Sequence, residues 1–127
     1  LRYANHNLTN LIVTGDFNHP EIDWVNSHTT VSENHKASKF LFLTNECKYH
    51  QMIENPTHYK PNCRPSLIDL VLAKDPDLIG KIKLTAPLGK SHHSSIIIKT
   101  TSNQTSTPEH SYEAPKNLAT PTNDKTY

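Results

Sequence analysis

"SLIDLVLAKDPDL", residues 66 to 78, is the stretch on which the fold turns. Leu67 to Ala73 reads as a strand, and Asp69 stands inside it between Leu67, Ile68, Leu70 and Val71. A carboxylate in such company is at least half buried, and a buried acid needs a partner. The alternative places Asp69 on the wet face of the strand, and periodicity alone leaves both open. Upstream, residues 57 to 66 carry Pro61 and Pro65 and read as a loop. Gln51-Met52-Ile53 before them makes a brief extended piece that Asn55-Pro56 breaks. From Lys36 to Lys48 there is neither Gly nor Pro, and Phe40, Leu41, Leu43, Thr44 and Cys47 recur at helical spacing. This predicts an amphipathic helix with Ser32 or Asn34 near its cap, ending near Tyr49. Leu11-Ile12-Val13 is a short apolar run closed by Gly15, Asn18 and Pro20, a strand emptying into a loop.

Downstream, "KIKLT" (Lys81 to Thr85) alternates with period two, the mark of a half-buried strand, and Ser94 to Thr100 forms a further strand around Ile96-Ile97-Ile98. The expected architecture is α/β (α+β). Strands near residues 11–14, 67–73, 81–86 and 94–100 lie in one mixed β-sheet, with the helix packed on it through Phe40, Leu41 and Leu43.

The chain has 127 residues, the length of one ordinary domain, with 34% hydrophobic residues, few for a compact fold. Residues 1–100 are expected to hold the folded part. From Thr101 onward Thr, Ser, Asn and Pro dominate, so 101–127 reads as a linker or disordered tail. Thirteen Lys and Arg against twelve Asp and Glu leave a net charge of +1, so whole-chain charge gives no case for nucleic acid. Two cysteines and no leader point to a reducing intracellular setting, nuclear or cytoplasmic. The acceptor patterns at Asn7 and Asn103 are then chance matches. No apolar run approaches the roughly 20 residues that cross a bilayer, so no membrane partner is expected.

Three stretches could carry chemistry. In "VTGDFNHPEIDW" (Val13 to Trp24), Gly15 allows close backbone approach to a ligand, Asp16 offers a hard oxygen and Asn18 an amide donor. An ordinary Asx turn would use the same residues. The second stretch is Asp69 in its strand. The third, "PLGKSHHSSIII" (Pro87 to Ile98), sets His92 and His93 at the mouth of a strand. A carboxylate bonded to an imidazole Nδ1 would fix its tautomer and favour the imidazolium, and Asp69 is the best-placed acid for that.

"GDFN" after an apolar strand, then a helix, then "IDLVL" followed by "PDL", then "PLGKSHH" before another strand, resembles the endonuclease/exonuclease/phosphatase superfamily. In detail it is similar to the endonuclease domain of non-LTR retrotransposons of the LINE type, which precedes a reverse transcriptase. The likeness spans about Leu11 to Lys99 and corresponds to the C-terminal half of that domain. It implies the C-terminal portion of a four-layer αββα sandwich and a Mg²⁺- or Mn²⁺-dependent phosphodiesterase acting on DNA. By the resemblance, Asp16 and Asn18 orient the attacking water and contact the scissile phosphate near the metal. Asp69 pairs with the histidine His93, which stabilises charge on the phosphoryl group, and Gly15 keeps the turn open.

Two departures follow. Where the family has an aspartate next to the metal, this chain has His92, a degenerate metal position. The family's earlier Asn and metal-binding Glu belong to a segment upstream of Leu1, so the implied partners are that upstream half, a downstream reverse transcriptase and DNA. The expected result is an endonuclease fragment that is inactive as an isolated chain. Two rivals stand beside it. Cys47, His50, His58 and Cys63 could form a zinc-binding module, and the chain could be a remnant without function.

Overall fold

The computed structural model describes residues 10–101. The tail from 102 to 127, Asn7 and Asn103 lie outside the described residues. In order, the elements are β1 (Ile12–Asp16), β2 (Ile22–Asp23), β3 (His28–Thr29), α1 (Lys36–Glu46), β4 (His50–Gln51), β5 (Asp69–Ala73), a 3₁₀ turn (Pro76–Leu78), β6 (Ile79–Thr85) and β7 (Ser95–Thr100).

β5 is the centre of the molecule because its sequence tolerates burial on both faces. Leu70, Val71, Leu72 and Ala73 are all at most 1% exposed. β1 pairs antiparallel on one edge, from Ile12 opposite Ala73 to Asp16 opposite Asp69, and β4 takes the other edge. Met52 extends that pairing by donating its backbone N–H to Val71. With both edges of β5 taken, β6 and β7 pair only with each other, as an antiparallel hairpin with a bulge between Ile79 and Lys81. β2 and β3 form a third small antiparallel pair.

The single mixed sheet expected from the sequence is therefore corrected. The strands near 11–14 and 94–100 belong to different sheets, and every ladder among the described residues is antiparallel. Alternation marks a strand and its wet face, but it says nothing about which edge the strand meets. The coarser expectation holds: the described residues make an α+β arrangement of small sheets and one helix.

α1 begins at a cap that sequence preference does not suggest. His35, rather than Ser32 or Asn34, accepts the Ala37 N–H through Nδ1 at 3.1 Å, as a neutral imidazole can. The helix ends at Glu46. Lys48 turns left-handed at φ 56°, and Tyr49 donates back to the Thr44 carbonyl at 3.0 Å. Phe40 and Leu43 pack toward a core of Cys47, Tyr49, Leu70 and Leu72. Leu41 turns instead to Ile22 and Ala37, while Phe40 and Trp24 touch both groups. The helix thus anchors the 17–24 loop beside the sheet, which holds the chain after Asp16 in place. Phe17 and Phe40 rings lie 5.0 Å apart, and Trp24 meets Phe40 edge-on.

Candidate active site

The β1–β5 register sets Asp16 directly across from Asp69. Like charges opposite one another destabilise a ladder unless something compensates. His93 does so from two residues before β7. Its Nδ1 lies 2.9 Å from Asp69 Oδ2, and one ligand atom each from Asp16, Asp69 and His93 fall within 4.8 Å of one another. Residues 24 positions apart in sequence meet here, so the pairing is a product of the fold.

The segment after Pro56 brings the hairpin to the sheet. Thr57 and His58 both donate backbone N–H groups to the Ser66 carbonyl, Ser66 donates back to His58, and Ser94 donates to the Thr57 carbonyl at 2.7 Å. Tyr59 donates to the His92 carbonyl at 2.9 Å, and His58 bridges both Ser66 and His93. Residues 57 and 58, read from sequence as plain loop, are the splice between the two sheets.

Sequence reasoning missed Thr57 altogether. It is fully buried, and its hydroxyl donates to Asp69 Oδ2 at 2.7 Å while accepting the Asp69 N–H at 3.1 Å and, more weakly, the Ile68 N–H at 3.4 Å. One donor and two acceptor sites exhaust a hydroxyl, so Thr57 is saturated and locks the Asp69 carboxylate in one orientation. No signal in a single sequence separates this threonine from the many others in the chain.

Asp16 and Asn18 lie together on the exposed loop side of β1. Asn18 has φ 50° and donates its backbone N–H to Asp16 Oδ1 at 2.9 Å, the Asx turn that was the plainer reading of "GDFN". Gly15 has φ 157°, which L side chains rarely adopt. A Cβ there would meet only Phe17 Cε2 at 3.9 Å, so backbone conformation rather than space calls for glycine. His92 is exposed and does not join the Asp16–Asp69–His93 group. Strand alternation carries it off the His93 side, and its ring sits edge-on to His58 at 6.2 Å.

The Asp69 hydrogen bond raises the His93 pKa above its ordinary 6.5, against a smaller lowering by partial burial, and the charges of Asp69 and Asp16 add to the rise. A raised pKa in the folded state gives stability that is present in full below pH 6.5 and is lost as pH climbs through the raised value. In an NMR titration His93 is expected to hold its proton above pH 6.5, and Asp69→Asn to bring its pKa down toward that value. An unchanged His93 titration in Asp69→Asn would contradict the arrangement.

The donor set suits a hard divalent cation in part. Asp16 and Asp69 each commit one carboxylate oxygen to hydrogen bonds and each retain another. Magnesium is commonly held by one or two carboxylates, with water and substrate phosphate completing its shell. The rival zinc set does not assemble. All four of its residues are described, yet the metal-capable grouping among the described residues is Asp16–Asp69–His93. Cys47 is buried in the core beside Leu70 and Leu72, whereas Cys63 is exposed in the 57–66 loop. An apolar stripe needs Cys47 as a core residue, which withdraws it from any surface ligand set.

No helix among the described residues is long and apolar enough to cross a membrane. Comparison with curated proteins and with solved structures gives no match. Against family models, residues 1–97 match the one described as endonuclease-reverse transcriptase, a span that takes in Asp16, Asn18, Thr57, Asp69 and His93. With most of its length inside that match and the "GDFN", "IDLVL" and "SHH" stretches brought to one place, the chain belongs to the endonuclease-reverse transcriptase family, the retrotransposon endonuclease branch of the endonuclease/exonuclease/phosphatase type.

Proposed function

We propose that this chain carries one side of a metal-dependent DNA endonuclease site, working with a reverse transcriptase region, and that the site needs further acidic ligands before it cleaves. The convergence of Asp16, Asp69 and His93 is the observation that supports this reading. His93, whose charged form Asp69 favours, would hydrogen-bond a phosphodiester oxygen and stabilise the charge that grows there as the bond breaks. Asp69 fixes the ring through Nδ1 and leaves Nε2 for the substrate. Asp16, with Asn18 beside it, is placed to orient a water for attack from the other side of the phosphorus. Mg²⁺ or Mn²⁺, held through Asp16 and further oxygens, would supply Lewis-acid polarisation of the phosphate. In this reading the three small antiparallel sheets are parts of a four-layer αββα sandwich.

Two carboxylates are few for such an ion, and His92 brings no oxygen. The 127-residue chain is therefore expected to leave supercoiled plasmid intact in Mg²⁺ or Mn²⁺, and His92→Asp alone to change nothing. In a chain extended at Leu1 by the upstream segment of a family endonuclease, His92→Asp should raise the nicking rate by about 10 to 100-fold. Metal-dependent nicking by the 127-residue chain that vanishes in Asp16→Ala would show that the site is already sufficient.

A further inference from the structure

The β6–β7 hairpin has an electrostatic character unlike the rest of the described residues. From Leu78 to Thr101 there are four lysines and no acidic residue, whereas residues 10–77 hold six basic and nine acidic side chains. The register divides the hairpin into two faces. Ile82 opposite Ile98 and Leu84 opposite Ile96 make a half-buried apolar face. The other face carries Lys81 opposite Lys99, Lys83 opposite Ile97, and Thr85 opposite Ser95. All three of these lysines are exposed, and none has an ion-pair partner among the described residues.

A directly opposed lysine pair destabilises a ladder, and no acid on this face relieves it. A polyanion bound along the face would. Strand alternation puts His93, Ser95, Ile97 and Lys99 on one side of the same chain segment, so the lysine face continues the side from which His93 meets Asp69. Six residues of extended chain separate His93 from the Lys81–Lys99 pair, a reach of about 20 Å. At about 3.4 Å of rise per nucleotide, that is about six nucleotides of one DNA strand.

We propose that the Lys81–Lys83–Lys99 face of the hairpin is a phosphate track that holds the backbone of duplex DNA beside the scissile phosphate, with Ile97 lying against the sugar edge between the cations. The proposal rests on the endonuclease reading for its substrate, but binding is measured apart from cleavage. A row of cations leading out of a phosphodiester site fits a regularly spaced polyphosphate. An anionic membrane would call for a broad charged patch with an apolar rim.

The test is fluorescence anisotropy of the full chain with a labelled duplex about two helical turns long, in metal-free buffer over a range of salt concentrations. Lys81→Gln, Lys83→Gln and Lys99→Gln together should weaken binding and flatten the log–log salt slope by about 2.7, or about 0.9 for each phosphate that is no longer neutralised. The corresponding triple Lys→Arg variant should keep the wild-type slope. Lys36→Gln, Lys39→Gln and Lys48→Gln on and just beyond α1 remove the same charge elsewhere and should leave the slope unchanged. The proposal is overturned if the wild-type chain does not bind the duplex, or if the hairpin triple leaves the slope intact. It is equally overturned if the α1 triple or the Arg triple loses as much as the Gln triple, or if the hairpin lysines bind phosphatidylserine vesicles and not DNA. Duplex binding by the full chain, together with no metal-dependent nicking by the chain extended upstream at Leu1, would leave the track standing and overturn the endonuclease reading.

Discussion

In the chain extended upstream to a complete endonuclease domain, His93→Ala is expected to lower DNA cleavage by about 10² to 10⁴-fold, the usual worth of one positioned imidazole. The imidazole has a dedicated acid at 2.9 Å, a raised pKa and a second carboxylate across the ladder, so the fold favours its charged form. Alanine removes the imidazole and with it the donor proposed to meet the phosphate. Asp69→Asn keeps an acceptor near Nδ1 and removes the negative charge, so its loss should be smaller and should depend on pH. Activity in that variant should fall at a lower pH than in the parent, because the imidazolium gives up its proton earlier once the acid is gone. Rates of plasmid nicking against pH for the two variants separate the roles. A His93→Ala domain that cleaves within about a factor of three of its parent would remove His93 from the chemistry.

Thr57→Val is expected to be the most damaging single change to stability near the site, about 2–4 kcal/mol in urea unfolding. Valine nearly matches threonine in volume, so the loss isolates the hydroxyl. That group carries three hydrogen bonds in a fully buried position, the strongest at 2.7 Å to Asp69. Without it the Asp69 N–H is left without its partner, and the carboxylate is deprived of the hydrogen bond that fixes its orientation. Thr57→Ser restores the hydroxyl and should come within about 1 kcal/mol of the parent, the scale of one missing methyl group. The His93 titration gives an independent readout. It should change in Thr57→Val because Oδ2 of Asp69 is shared between the two side chains. A Val variant as stable as the Ser variant, with His93 unmoved, would mean that the hydroxyl does no more than fill space.

Local chemistry made several things legible before any fold was known. Leu67 to Ala73, apolar except for Asp69, reads as a strand, and the structure makes Asp69–Ala73 the central one. The gap in Gly and Pro from Lys36 to Lys48 and the helical spacing of Phe40 and Leu43 marked α1 and the side it packs with. Pairing chemistry marked Asp69 as the best-placed acid for a histidine at the mouth of the last strand, and the resemblance to the family, not local pattern, chose His93 over His92. The rest depends on periodicity, burial and pairing chemistry, all properties that neighbouring residues carry among themselves.

What stayed hidden depends on which distant segments meet. Alternation in Lys81 to Thr85 is the same whether that strand joins β5 or β7. Only β4 and β1 occupying both edges of β5 turned it into a separate hairpin and divided the expected single sheet. Thr57 looks like any threonine after a proline until Ser66, Asp69 and Ser94 arrive around it. Asp16 faces Asp69 because of the β1–β5 register, which a shift of one residue would abolish. The sequence by itself thus determined which residues must be buried, paired or wet. The tertiary structure alone decided edge choice, register and the threonine at the centre of the site, because those are settled by long-range backbone hydrogen bonds that leave no local pattern in the chain.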